Sequence, residues 1–185
     1  MANIEHEEVL DRLDKLSVCL YRTGISLFAL ALIMTGLSHA PSFGLPLPSN
    51  FSQITLVVTA TAAALSAANL HVYDKVIRAI IVWSSWLGLT LVIALSHSDY
   101  LWLAQGFIFI TFSGIAVKES FCFKVPGLKI VPLLLASAVA LSAFKMGLAV
   151  ALLSAVCAAI FAFLAVSKWK MPLHFDIGDK SNYQI

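Results

Sequence analysis

The chain has 185 residues, 60% of them apolar and 12% charged, with a mean hydropathy of +0.91 and a formal net charge of +2. Soluble domains average roughly 45–50% apolar and about 25% charged residues, so this is the composition of a polytopic membrane protein without a separate soluble domain. So small a net charge, with no basic run interleaved with aromatics, excludes nucleic acid as a partner.

The first residues carry Glu5, Glu7, Glu8, Asp11 and Asp14 where a secretory signal would be basic, so no cleavable signal peptide is expected. Among those charges Val9, Leu10, Leu13 and Leu16 recur at spacings of three and four, the pattern of an amphipathic helix over 4–16 or of a solvated acidic leader. Six apolar runs follow, at 16–37, 51–70, 76–96, 100–117, 128–144 and 146–167. Each approaches the ~17–25 residues that cross a bilayer, the fourth and fifth being the shortest. The fifth and sixth are divided only by Lys145-Met-Gly147, and one helix through both would overshoot any membrane, so a tight hairpin is expected there. Val125-Pro-Gly127 is expected to close the connection before the fifth run, because Pro and its preceding residue disfavour helix interiors. Residues 38–50, rich in Pro, Gly and Ser, read as an irregular outer loop, and 97–100 as a tight outer turn. Asn50-Phe51-Ser52 matches a glycosylation pattern that is discounted, since it abuts a span. Tyr100 and Trp102 suit interfacial anchors, whereas Trp83 and Trp86 lie deeper in their run and read as packing residues. The expected fold is an all-α membrane protein: a cytoplasmic amphipathic leader over 1–15, a bundle of six transmembrane helices over 16–167, and a cytoplasmic tail over 168–185.

Charge orients this bundle. With the N-terminus inside, eleven of the twelve Lys and Arg residues fall on the cytoplasmic side and Lys145 alone falls outside, as the positive-inside rule requires. Both termini are then cytoplasmic. Apart from the ionisable groups near their ends, the spans' polar residues are Ser, Thr, Asn69 and Gln105, groups that serve helix packing, and small-residue stretches at 60–68 and 149–159 permit close approach. Cys19, Cys122 and Cys157 are odd in number and widely spaced, so neither a disulfide framework nor a zinc site is expected. No His-x-x-x-His spacing supports a metal site, and no cofactor or catalytic residue is indicated.

What remains is a polar set that threading sends to the cytoplasmic side: Arg22, His71, Lys118, Glu119, Cys122, Asp176 and Lys180. These are either helix-end anchors or one cluster, and the sharper expectation is that Glu119 pairs with Arg22 or Lys118 with His71 within reach. The segments that carry them, Tyr21-Arg-Thr-Gly24, Leu70-His-Val-Tyr73, Lys118-Glu-Ser-Phe-Cys-Phe123 and Asp176-Ile-Gly-Asp-Lys-Ser181, resemble a bacterial family of uncharacterised integral membrane proteins, a domain of unknown function. The resemblance implies a bacterial inner or thylakoid-type membrane and that the seven residues belong to one shared feature, and it implies no activity. Three functional classes stand: a non-enzymatic scaffold, assembly or accessory subunit whose partners are the lipid bilayer and other membrane proteins or further copies of the chain; a small-solute transporter; and a membrane-surface enzyme or redox protein using Cys122. A water-accessible cavity reaching Gln105 or Asn69 would favour the second.

Overall fold

The computed structural model describes residues 9–39 and 46–184. Among them there is no strand. Helix α1 (Arg12–Leu37) starts at a capping box in which the Asp11 carboxylate accepts the Asp14 N–H at 2.7 Å and Asp14 accepts the Asp11 N–H at 3.0 Å. It is followed by α2 (Phe51–Ala68), α3 (Lys75–Leu95), α4 (Leu101–Ser120), a 3-10 turn (Leu128–Ile130), α5 (Val131–Ala143), α6 (Gly147–Trp169), the short α7 (His174–Ile177) and a last 3-10 turn (Lys180–Asn182). Five of these, α1, α2, α3, α4 and α6, are long and apolar enough to cross a membrane, and Leu128–Ala143 forms a shorter apolar helix. The protein is therefore an all-α membrane protein.

Residues 12–15 of the expected leader continue into the first span as one helix, with Val9 exposed before it and Leu13 and Leu16 exposed ahead of its buried stretch. The part of the amphipathic reading on residues 4–8, and the part of the outer-loop reading on 40–45, lie outside the described residues. The hairpin at Lys145-Met-Gly147 is present, and Lys145 itself takes the left-handed conformation at φ 56°. Val125-Pro-Gly127 lies in a non-helical connection with Gly127 at φ 80°, a region that glycine enters without a Cβ penalty. The α-helix after it begins three residues later than the apolar run, at Val131, with Pro132 in its first turn, where a missing N–H costs no hydrogen bond.

One reading changes. Trp83, placed by depth among the packing residues, is 72% exposed, and Trp86 is exposed as well, so both lie on the outer face of α3. Depth along a run does not tell which face a residue occupies. The small-residue stretch at 60–68 permits close approach as expected: Ala62, Ala63, Ser66 and Ala67 are buried, and α2 comes so close to α1 that a Cβ on Gly24 would stand 2.3 Å from Ser66 Oγ.

The core is built on α1, α4 and α6. Their buried stripes are Val18, Ile25, Phe28 and Leu32; Ile108, Phe112 and Ile115; and Cys157, Phe161 and Leu164, at the three-and-four spacing of one helix face. Phe28 stacks on Phe112 with centroids 3.5 Å apart and meets Phe161 edge-on at 4.8 Å, which makes an aromatic layer across the bundle.

Candidate functional site: a buried ion layer

Two of the three stripes end in an ionisable group, and the third passes through two of them. Continue α4 four residues beyond Ile115 and it reaches Glu119; continue α6 four beyond Leu164 and it reaches Lys168; α1 arrives with Tyr21 and Arg22. All four are buried, although three are formally charged. Seven residues of helix, about 10 Å, separate Glu119 from Phe112 and Lys168 from Phe161, so the ion layer sits two turns above the aromatic layer.

The fourth wall comes from the C-terminal segment. Pro172 follows α6 and turns the chain back over the bundle, and α7 delivers Asp176 into the centre. Arg22 Nε donates to Asp176 Oδ2 at 2.7 Å, while its two Nη atoms donate to the carbonyls of Met171 (2.8 Å) and Pro172 (2.9 Å). The Lys168 ammonium bridges the two carboxylates, contacting Asp176 Oδ1 and donating to Glu119 Oε2 at 2.9 Å. Tyr21 Oη donates to Glu119 Oε1 at 2.7 Å, and Lys118 Nζ lies 3.2 Å from that same oxygen and 4.8 Å from the Tyr21 ring centroid. A charge left unpaired in such surroundings costs several kcal/mol, which is why each has a partner of opposite sign.

Of the seven residues singled out in the sequence, four meet: Arg22, Lys118, Glu119 and Asp176. Glu119 contacts Lys118 as expected, but Arg22 turns to Asp176 and leaves Glu119 to Lys168 and Tyr21. His71 stands apart, sharing a 3.2 Å hydrogen bond with Ser17 Oγ, about a turn and a half from Arg22 along α1. Loss of solvent, and then the Lys118 charge, push its imidazole down to about 4 from the ordinary 6.5, so it is neutral at neutral pH. Lys180 pairs with Asp14 at 2.6 Å at the periphery. Cys122 is exposed, and desolvation together with Glu119 pushes its thiol up, the opposite of an activated thiolate. Tyr21 and Lys168 lie outside the seven residues singled out in the sequence, although both continue a three-and-four stripe into the core.

The tail motif is now legible residue by residue. Asp176 enters the ion layer; Gly178, at φ 66°, lies so close beneath Tyr73 that a Cβ would come 2.0 Å from its hydroxyl; and the Asp179 N–H donates to Tyr73 Oη at 2.9 Å. Asp179 then caps the last 3-10 turn through Ser181 N–H. Tyr183 Oη donates to the Ile177 carbonyl and its ring meets Tyr73 edge-on at 5.0 Å, which ties the segment to the connection between α2 and α3.

Helices of membrane-crossing length around a buried ion layer define an integral membrane protein that spans the bilayer several times. Residues 76–185 match the family described as uncharacterized integral membrane protein (DUF2301), and the chain belongs to that family. A Haemophilus influenzae protein described as an uncharacterized protein is 34% identical over 185 residues, the full length of both chains. No solved structure matches.

Proposed function

We propose that the chain is a non-enzymatic assembly or accessory subunit of a bacterial inner-membrane complex, with six spans and the ion-layer end and both termini in the cytoplasm. The closed ion layer carries this reading. Its two carboxylates, Arg22 and Lys168 are turned on one another or on the chain's own carbonyls, an arrangement that holds a tail in place and offers neither carboxylate to a substrate as a general acid or base. The eleven-to-one division of basic residues supports the orientation. Reporter fusions at Ser98 and Ser120 are expected on opposite sides, and finding them on one side would overturn the threading. Co-purification from mild detergent tests the subunit role; isolation as a lone monomer under several gentle conditions would remove it.

A second reading, small-solute transport, is favoured by one observation. A cavity of about 280 Å³ at the Lys145 end is lined by Gln105 together with Thr35, Ser38, Thr55 and Asp99. The aromatic layer, about two turns beyond Gln105 on α4, separates it from the ions. Swelling of proteoliposomes carrying Phe112→Ala, compared with the native chain, decides between the readings. Leak in the variant alone fits a sealed bundle; solute flux through the native chain favours transport.

A further inference from the structure

A second cavity, of about 580 Å³, opens on the side of the bundle between α3, α4 and the C-terminal segment. Its walls are Ile77 and Ile80 of α3, Ile110 and Val117 of α4, and Phe175 and Ile177 of the tail. The four helix residues are exposed on the outer faces of their helices, so the cavity opens towards lipid, and the buried Ile81, Asp176 and Ile177 also line it. From Ile110 to Val117 it follows α4 for about 10 Å, a length of groove that suits part of an extended hydrocarbon chain. Its volume lies within the ~300–1,000 Å³ usual for small-molecule sites.

One end of this apolar groove is charged. Lys118 lines it where α4 ends. Among the described residues the ion layer holds three cations, Arg22, Lys118 and Lys168, against two carboxylates, Glu119 and Asp176, a balance of +1. The Lys118 side chain is 21% exposed where those of Arg22 and Lys168 are at 1% and 2%, so the surplus charge is accessible at Lys118. Two acids also line the wall: Asp176, whose carboxylate is paired with Arg22 and Lys168, and Asp74, whose carboxylate accepts the Ile77 N–H at 2.8 Å at the start of α3. Apolar walls that open to the bilayer, below a cation at the level of the helix ends, match the two halves of one class of molecule.

We infer that this groove is a binding site for an anionic membrane phospholipid, with an acyl chain between α3 and α4 and its phosphate beside Lys118. The tail is then part of the lipid site as well as the cover of the ion layer. This inference is independent of whether the chain serves a larger complex.

The test uses the full chain purified in mild detergent and incubated with an equimolar mixture of dioleoyl phosphatidylglycerol and dioleoyl phosphatidylcholine, with retained lipid counted by native mass spectrometry. One retained phosphatidylglycerol is expected, favoured over phosphatidylcholine by about fivefold, the effect of one Lys at a headgroup. Val117→Trp, a substitution on the outer face, is expected to fill the groove and abolish retention, and Ile80→Trp on the facing wall should do the same. Lys118→Gln is expected to keep a lipid but bring the preference below about twofold. Retention of both lipids equally by the native chain, or unchanged retention in both tryptophan variants, would overturn the inference.

Discussion

Two ion pairs mark the two ends of this bundle. Arg22 and Asp176 meet with side chains 1% exposed, whereas Lys145 and Asp99 meet at 3.2 Å with side chains 78% and 84% exposed. Both join segments distant in sequence, yet their surroundings make them different objects. At the buried end each charge has been taken out of water and must keep its partner; at the exposed end each can return to water at little cost. The protein has placed its tail, its Gly178 turn and its Tyr73 contacts at the end where an unpaired charge is expensive. The other end holds the hairpin, the polar cavity and a Lys that closes a turn.

The sharpest way to break this comparison is to remove Asp176. Asp176→Ala leaves Arg22 and Lys168 buried with one carboxylate between them and Lys118, and the expected loss is about 3–5 kcal/mol. Thermal unfolding in mild detergent reads it, and protease sensitivity after Trp169 should rise because the tail has lost its anchor. A loss under about 1 kcal/mol would mean that the ion layer is wet and that its burial carries little energy.

Close approach of helices differs along α1 in the same sense. A Cβ on Gly24, two residues from Arg22, would meet Ser66 Oγ at 2.3 Å, Ser66 N at 2.9 Å and the Ala62 carbonyl at 3.0 Å, and two of these are backbone atoms that cannot move alone. At Gly36, near the other end, the nearest atom is the Ala151 carbonyl at 3.4 Å. Gly24→Ala is therefore expected to cost about 1–3 kcal/mol and Gly36→Ala well under 1 kcal/mol, by the same unfolding measurement. Equal costs would show that α1 and α2 separate without penalty.

Acid should act on the buried end through His71. Its folded pKa, about 4, lies below the ordinary 6.5 of an unfolded chain, so between these values the unfolded state binds more protons. Stability is then fully present above pH 6.5 and falls as the pH drops towards 4. The ring is only partly buried and screening reduces the effect, so about 1–2 kcal/mol is expected over that window. His71→Gln should flatten this part of the profile, and an NMR midpoint for His71 near 6.5 would remove the prediction.

The sequence made the membrane class, the Lys145 hairpin and four of the six ion-layer residues legible, because hydropathy and basic-residue placement act through local rules. The pairings were not legible, for reasons particular residues make plain. Arg22 and Asp176 are 154 positions apart, and only the turn-back at Pro172 brings them together. Lys168 looked like one of several helix-end lysines. Its distinction is registry: it lies on the Cys157, Phe161, Leu164 stripe, while Lys170 does not. Trp83 failed for the converse reason, since it is apolar and deep in its run yet lies on the outward face of α3. In a helix that is apolar all round, composition does not separate lipid-facing from bundle-facing sides, and only the polar residues betray the inside.

The smallest effect belongs to the exposed pair, and it is the control that gives the others meaning. Lys145 Nζ and Asp99 Oδ1 lie at hydrogen-bonding distance, so geometry alone would rank this contact with Lys168 and Glu119, which are 2.9 Å apart. Energy ranks it otherwise. Water solvates both groups before and after the pair breaks, the two side chains lose freedom in forming it, and salt screens what remains, so exposed pairs contribute about 0–1 kcal/mol. Asp99→Ala is accordingly expected to shift the unfolding midpoint by an amount equivalent to under about 0.5 kcal/mol, and to lose even that at about 0.5 M salt. Lys145 also occupies the left-handed position of the hairpin, so the substitution belongs at Asp99, where removing the charge leaves the turn's backbone untouched. A shift comparable with that of Asp176→Ala would show that the two ends share one electrostatic environment, and the contrast between a sealed end and an open one would fall.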